Sequence, residues 1–333
     1  MISVIIPTFN SEKVIAKCLT SLQKQNFKGK YEIIVVDDES KDNTAKIASK
    51  FKGVKVFKRP HRGPAVQRNF GVKKSKGDIV LFVNDDNVAD KNWLKRMIEP
   101  FKDLEVAGVS GTCRTENNES LLARYVGYDI EYRHEEMKRK KYIDFIGTFS
   151  AAYRKSVFLK VGGFDETFTQ PTGEDPELSF RIAKKHKLVF QPKAVVGAYH
   201  WDTIKKFYRK KFYRTYWRIM MYKKHPKKML GDSYTPAKSL LSMVIQILAV
   251  GIMPIALILS IFFKPQIIFS IPLLLVFLLA QNALFSFWVW KKDKPVAIAS
   301  YFYVLVRSIA FFLGIIVGLF DYMTGRMAKS AKR

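Results

Sequence analysis

Apolar positions along the chain follow two different regimes. Up to about residue 200 they come as short runs at 2–6, 32–36, 54–57 and 79–83, separated or followed by helical periodicity near 12–24, 43–51, 65–73 and 92–101. Near-continuous Val/Ile runs predict strands covered on both faces, and their alternation with helices predicts a mostly parallel α/β sheet with right-handed crossovers. Ligands in such sheets bind beyond the carboxyl ends of the strands, so the residues following each run are the ones to inspect.

Beyond residue 238 the pattern changes. The segments 239–263 and 265–290 carry no charged side chain, and 295–320 carries only Arg307. About 20 apolar residues suffice to cross a bilayer, so each is long enough, and three buried helices of this kind in succession would be unusual in a soluble protein. The N-terminal run Met1–Pro7 lacks the basic start and length of a signal peptide, which predicts a cytoplasmic catalytic part and a multi-pass protein of the cell membrane.

Charge sharpens the division. The 333 residues include 57 Lys and Arg against 29 Asp and Glu, and eleven of the basic residues, with no acidic one, fall between 205 and 228. There Tyr208, Phe212, Tyr216 and Ile219 form one helical row, and Lys206, Lys210, Arg214 and Arg218 another roughly opposite. This is the pattern of an interfacial helix on anionic lipid, where each cation contributes about 1 kcal/mol. A surface helix packed on the domain is the ordinary alternative, and the adjacent apolar segments argue against nucleic acid as the partner. The predicted organisation is residues 1–204 as an α/β domain, 205–232 as interfacial helix and linker, and 233–333 as a membrane domain of about three helices. Three spans would place Lys291, Lys292 and Lys294 inside but Arg326, Lys329, Lys332 and Arg333 outside, against the positive-inside rule. The conflict points to a re-entrant segment, bent at Pro254 or Pro272, or to an override by the basic belt. Cys18 and Cys113 stand alone, without disulfide or zinc-ligand spacing.

Candidate chemistry lies after the runs. Asp37-Asp38-Glu39-Ser40 follows the second, and Asn84-Asp85-Asp86-Asn87 follows the fourth. If both strands end on one sheet edge, carboxylates converge, and a Mg²⁺ or Mn²⁺ that also holds substrate phosphate would relieve their repulsion. Either cluster alone is equally a strand end or helix cap. Gly162-Gly163-Phe164-Asp165 and Gly173-Glu174-Asp175 precede a helix; the acidic pair is either an N-terminal dipole partner or a general base, with Glu174 tuning or orienting Asp175. Arg68 suits a diphosphate or a plain helix surface, and His200, among aromatics, a ligand or a packed ring.

Taken in order, Ser3-Val4-Ile5-Ile6-Pro7-Thr8-Phe9-Asn10, Val35-Val36-Asp37-Asp38-Glu39-Ser40, Arg68-Asn69-Phe70-Gly71, Asn84-Asp85-Asp86, Gly162-Gly163-Phe164-Asp165 and Gly173-Glu174-Asp175 resemble family 2 glycosyltransferases of the GT-A fold over about residues 1–200. With the apolar tail, the chain resembles those that act on polyisoprenyl phosphates. The resemblance implies that Pro7, Asp38, Arg68, Asn84, Asp85 and Asp86 serve the nucleotide-sugar donor, with Asp38 on the base, Asp86 on the divalent metal and His200 as a further metal-side contact. It implies Asp175 as the catalytic base beside Glu174. The family's Asp-x-Asp reads Asn84-Asp85-Asp86, so the first carboxylate is lost and Asn84 is left a ribose or water-mediated role. The Gln-x-x-Arg-Trp motif of processive synthases is absent despite Tyr216-Trp217-Arg218. The expected activity is inverting transfer of one sugar from a nucleotide-diphosphate sugar to a lipid-linked acceptor; a processive polysaccharide synthase, or a transporter-like membrane protein with a regulatory nucleotide-sugar-binding domain, is the alternative.

Overall fold

The computed structural model describes residues 1–168 and 172–326. The charges at 329, 332 and 333 that enter the topology conflict therefore lie outside the described residues. The chain divides into two compact units, Met1–Glu116 with Arg133–Tyr199, and Asn117–Tyr132 with the chain from His200 onward.

The first unit contains β1 (Ile2–Thr8), α1 (Ile15–Gln23), β2 (Tyr31–Asp37), α2 (Thr44–Ser49), β3 (Val54–Lys58), α3 (Pro64–Lys74), β4 (Ile79–Val83), β5 (Val88–Ala89), α4 (Trp93–Ile98) and β6 (Val106–Thr115). A long helix, α5 (Leu121–Lys138), passes from one unit to the other, and β7 (Ser150–Arg154), α6 (Lys155–Lys160), α7 (Glu174–Ala183) and β8 (Lys187–Ala198) complete the first. The sheet order is β3-β2-β1-β4-β7-β6-β8-β5. β3, β2, β1 and β4 are parallel, and so are β6 and β8, while β7 runs antiparallel to both β4 and β6. All four predicted runs are strands at nearly the predicted positions. Alternate residues bury on opposite faces: Val4, Ile6, Ile33, Val35 and Leu81 join a core with Leu19, Trp93 and Met97. On the other face Gly71 of α3 lies so near Ile5 that a Cβ there would meet the Ile5 methyl at 2.5 Å. Pro7 sits inside β1 without breaking the sheet, because β4 pairs only with Ile2 through Ile5 and the missing N–H lies beyond that register.

The second unit holds α8 (Ile204–Lys224), α9 (Ala237–Phe262), α10 (Ser270–Ala280), α11 (Ala283–Trp290) and α12 (Lys294–Met323). Leu122, Tyr125 and Val126 at the start of α5 share a core with Phe207, Val289, Val296 and Tyr303, which draws residues 117–132 into this unit, an excursion that the division at residue 204 did not include. By length and hydropathy α9 and α12 are each able to cross a membrane, whereas the segment 265–290 is broken, its halves meeting at 49°. The break falls between Ala280 and Ala283, not at Pro254 or Pro272. Beside it Asn282 Nδ2 donates to Ser300 Oγ at 2.7 Å and Ser286 Oγ to the Ala297 carbonyl at 3.0 Å, holding α11 against the start of α12.

The basic helix α8 forms as expected, but its buried side chains are Phe207, Lys211, Tyr216, Trp217 and Met221. Of the predicted basic row, Lys206 is exposed and Lys210, Arg214 and Arg218 are half-buried. The cause is α12: a Cβ at Gly314 would stand 2.7 Å from the Phe212 carbonyl oxygen, and one at Gly318 would stand 3.3 Å from Tyr216 Cα. Two glycines four apart let the helix backbones approach closely, so the aromatic row faces a protein neighbour.

Candidate active site

Because β1, β2 and β4 are parallel and adjacent, Thr8, Asp37 and Val83 end on one edge of the sheet, which meets the condition under which the two acidic segments converge. The loops at this edge contain the two non-glycine residues with positive φ, Asn10 (52°) and Glu39 (65°), among the described residues. They are tied together: Asn10 N donates to Ser40 Oγ at 2.9 Å, and Lys41 N to Asn10 Oδ1 at 2.8 Å. Left-handed backbone at non-glycine positions costs of order 1–3 kcal/mol each and is held here by those cross-loop bonds.

Asp38 is buried and heavily engaged. Its Oδ1 accepts from Arg62 N at 2.8 Å and from Gln67 Nε2, and its Oδ2 accepts from Gly63 N at 3.0 Å and lies 3.0 Å from His61 Nδ1. The carboxylate therefore shapes the 61–67 loop, and Gly63 (φ 86°) makes the turn into α3.

Asn84, Asp85 and Asp86 are all half-buried at the end of β4. Asp85 turns back toward β1, its Oδ2 accepting from Ser11 Oγ, and burial raises its pKa against the opposing hydrogen bond. Asp85 thus braces the β1 loop. Asp86 is the carboxylate that the resemblance assigns to the metal. No group of three or more His, Cys, Asp or Glu able to hold a metal exists among the described residues.

The antiparallel strand β7 supplies what the parallel strands cannot. Its register pairs Ser150 with Val83, so the residues preceding β7 reach the edge where β4 ends, and Asn87 Nδ2 fixes them by donating to the Phe149 carbonyl at 3.0 Å. Thr148, the next residue back, donates from N (3.0 Å) and Oγ1 (3.1 Å) to Asp175 Oδ2. Asp175 Oδ1 is buried with no hydrogen-bond donor and stands 3.9 Å from Arg68 Nη1. Arg68, expected to face a diphosphate, places Nη1 2.9 Å from Glu174 Oε1, both side chains being almost wholly buried. Burial and the neighbouring Asp175 charge push the Glu174 carboxyl up to about 7, with Arg68 opposing. The Gly162-Gly163 turn is held by Asn69, whose Oδ1 accepts from Phe164 N at 2.9 Å and whose Nδ2 donates to Phe164 O at 2.8 Å. Glu177, Arg181 and the carbonyl of Gly163 complete the clamp below α7.

His200 belongs to the second unit. Burial and Lys211 lower its pKa to about 4, so the ring is neutral, and Nε2 is buried without a hydrogen-bond partner. Its backbone exchanges bonds with Asn117, whose Nδ2 donates to His200 O at 2.8 Å and whose Oδ1 accepts from His200 N at 2.9 Å.

Residues 3–162 match the family model described as Glycosyl transferase family 2. The chain carries a glycosyl transferase family 2 domain. Among curated relatives, a poly(ribitol-phosphate) β-N-acetylglucosaminyltransferase, TarS, of Staphylococcus aureus is 42% identical over 99 residues, 28% of this chain and 17% of that protein. The GalNAc(5)-diNAcBac-PP-undecaprenol β-1,3-glucosyltransferase of Campylobacter jejuni is 30% identical over 175 residues, covering 50% of this chain and 55% of its own length. The chain thus spans from under a fifth to about half of these relatives. Among solved structures, the mannosyltransferase PcManGT from Pyrobaculum calidifontis, in complex with GDP-Man and Mn²⁺, aligns with a TM-score of 0.60 at 16% identity, over 93% of this chain and 86% of that one. At that identity the likeness concerns the fold, which is the GT-A-type α/β sheet expected, followed by apolar helices. The family 2 domain explains the order of the edge motifs. Thr148 was not singled out, having no motif of its own, and Asn69 was quoted in the run Arg68-Asn69-Phe70-Gly71 without a role being given to it.

Proposed function

We propose that the chain is a membrane-attached glycosyltransferase that moves one sugar from a nucleotide-diphosphate sugar to a lipid-linked acceptor, such as a polyisoprenyl phosphate, inverting the anomeric carbon. The observation that carries the reading is Asp175, oriented by two Thr148 bonds on Oδ2 while its Oδ1 accepts no hydrogen bond. Membrane attachment is supported by α9 and α12, and the acceptor class by the undecaprenol-linked substrate of the C. jejuni relative.

With a lipid-linked sugar as acceptor, Asp175 Oδ1 accepts the proton of the attacking hydroxyl, whereas a polyisoprenyl phosphate attacks through an oxygen already ionised and gives Asp175 no proton. The hydroxyl oxygen bonds to the anomeric carbon from the face opposite the nucleotide as the bond to the diphosphate oxygen breaks, which inverts the configuration in one displacement. The leaving nucleoside diphosphate stays on the donor side, where Pro7, Asp38, Asn84 and Asp85 form the walls of the base and ribose site. Asp86 would share a divalent cation, Mg²⁺ or Mn²⁺, with the donor's diphosphate, whose developing charge that cation neutralises when bound. Glu174 and Arg68 hold α7 so that Asp175 meets its substrate in one orientation. Membranes containing the full chain, incubated with a panel of labelled nucleotide sugars and then extracted with organic solvent, test the reading. Label in a lipid carrying one added sugar of inverted configuration supports it. Label confined to free sugar, or to long polymer, refutes it.

A further inference from the structure

The last helix behaves unlike a membrane span. Along α12 the buried positions Ser300, Val304, Arg307, Phe311, Gly314 and Gly318 form one stripe, and Ile298, Phe302, Ile309, Leu313, Ile316 and Phe320 form another that is exposed and apolar, each at least 36% accessible. The spacing is that of two faces of one helix. The buried stripe is covered by α5 and α8 and, around Val304 and Arg307, also by α9 and α10. At its start Arg124 of α5 holds Asp293 at 2.7 Å, and Tyr125 stacks on Tyr303 with centroids 4.9 Å apart. At its middle Arg307 Nη1 lies 3.4 Å from Asp129 of α5, which also takes Lys211 of α8 at 3.5 Å. Towards its end α8 takes over: Phe212 lies over Gly314, Tyr216 over Gly318, Tyr216 Oη donates to Asp321 at 3.0 Å, and Lys223 Nζ sits 5.0 Å from the Tyr322 ring centroid.

These pairs rise together, residues 207 to 223 of α8 beside 303 to 322 of α12, so the two helices run parallel and side by side. A crossing α12 would carry Arg209, Arg214, Arg218 and Lys223 to bilayer depth with it, where Lys and Arg are strongly disfavoured. Arg209 and Lys223 are both exposed, Lys223 with its ammonium beside the Tyr322 ring, as water or headgroups require.

We propose that α12 does not cross the bilayer but lies along the anionic leaflet that faces the catalytic domain, its Ile298 to Phe320 stripe in the acyl boundary and α8 beside it among the headgroups. This rests on the membrane attachment proposed above. It also eases the charge conflict, since Arg326 then stays on the side of Lys291, Lys292 and Lys294, as the positive-inside rule prefers.

The test uses the full chain in sealed membrane vesicles with the catalytic domain outward. In a Cys18→Ala, Cys113→Ala background, Lys291→Cys and Thr324→Cys are each treated with a membrane-impermeant maleimide before and after permeabilisation. Labelling of both positions in intact vesicles is expected; labelling of Thr324→Cys only after permeabilisation overturns the proposal. A nitroxide placed at Phe302→Cys, Ile309→Cys and Ile316→Cys, one at a time in the same Cys18→Ala, Cys113→Ala background, gives a second reading. Positions 302 and 316 are separated by about 21 Å along the helix axis, so equal shallow depths support an in-plane helix and a spread approaching that length overturns it. A chain that fails to float with the vesicles overturns the attachment itself, a different result from attached chain with Thr324 on the far side.

Discussion

Replacing Asp175 by Asn is the sharpest test of the proposed base. The two Thr148 donors, N at 3.0 Å and Oγ1 at 3.1 Å, fix which way the new amide points. Its oxygen must take their bonds, because an NH₂ group facing two donors would leave all of them unsatisfied. The amide nitrogen then occupies the position of Oδ1 and presents hydrogens where a proton must be received. Shape and Thr148 bonding survive, and base function does not. General base catalysis by a positioned side chain is worth about 10²–10⁴ in rate, or roughly 3–5 kcal/mol of barrier, so kcat is expected to fall by that factor while donor affinity stays within about threefold. Thr148→Val keeps the backbone donor and loses the hydroxyl; at about 0.5–1.5 kcal/mol for one hydrogen bond, a drop of a few-fold to tenfold is expected. The assay is single-turnover transfer to lipid extract, with nucleotide binding measured separately by calorimetry. An Asp175→Asn variant that retains near-parental turnover would refute the role, and so would equal losses in turnover and donor affinity, which would mean that the site had collapsed.

Asp86→Ala should abolish transfer and erase the Mn²⁺ dependence of nucleotide binding in calorimetry, whereas Asp85→Ala should keep that dependence, since Asp85 is turned toward Ser11; equal Mn²⁺ dependence in Asp86→Ala and parent would sink the assignment. For Glu174, with its carboxyl raised from 4.5 to about 7, the folded state keeps its proton while the unfolded state loses it, so stability falls as pH rises through that window by about 3 kcal/mol in all. Glu174→Gln lacks this slope, so the difference in urea midpoint between variant and parent should grow from pH 4.5 to about 7 and then level off; parallel profiles would contradict the buried-carboxyl reading. Gly318→Leu, which drives a side chain into Tyr216 and Ile219, should cost on the order of 1–3 kcal/mol and lower the melting temperature in detergent, while Gly53→Ala, in open space at φ 79°, pays only its backbone strain.

The parallel half of the sheet was legible because Val and Ile crowd the runs at 2–6, 32–36, 54–57 and 79–83, and a strand covered on both faces tolerates little else. The antiparallel part was not. β7 reads Ser-Ala-Ala-Tyr-Arg and β6 contains Gly108, Gly111, Ser110 and two threonines, so neither shows an apolar run or an alternation. Gly108 is small because Leu188, Ile146 and Tyr153 already crowd the space its Cβ would enter, a constraint from distant residues that no local pattern records. Missing β7 meant missing Thr148, and with it the orientation of Asp175. The acidic clusters were legible as clusters, but not their division of labour. That Asp38 would serve the 61–67 loop, Asp85 the β1 loop and Arg68 the acid Glu174 follows from partners 25 to 106 positions away.

The same limit explains the apolar tail. Hydropathy averaged along a helix reports how much of it avoids water, and α12 satisfies a membrane span on that measure. It does not report which neighbour covers which face. Two sequence features carried that information without being read for it. Gly314 and Gly318, four apart, permit a close helix neighbour on one face. Arg307, on the same face, asks for a polar partner, and finds Asp129 of α5 and Gln246 of α9 at 3.4 and 3.1 Å. A glycine pair and a lone cation on one stripe, opposite an unbroken apolar stripe, distinguish a helix held between protein and lipid from one surrounded by lipid. α10 presents no such pairing and is apolar throughout, with Leu278 its one buried side chain, so the two long helices and the broken segment need not share one disposition in the bilayer. Counting apolar segments therefore bounds the number of spans from above, and the faces of each helix decide how many of them cross.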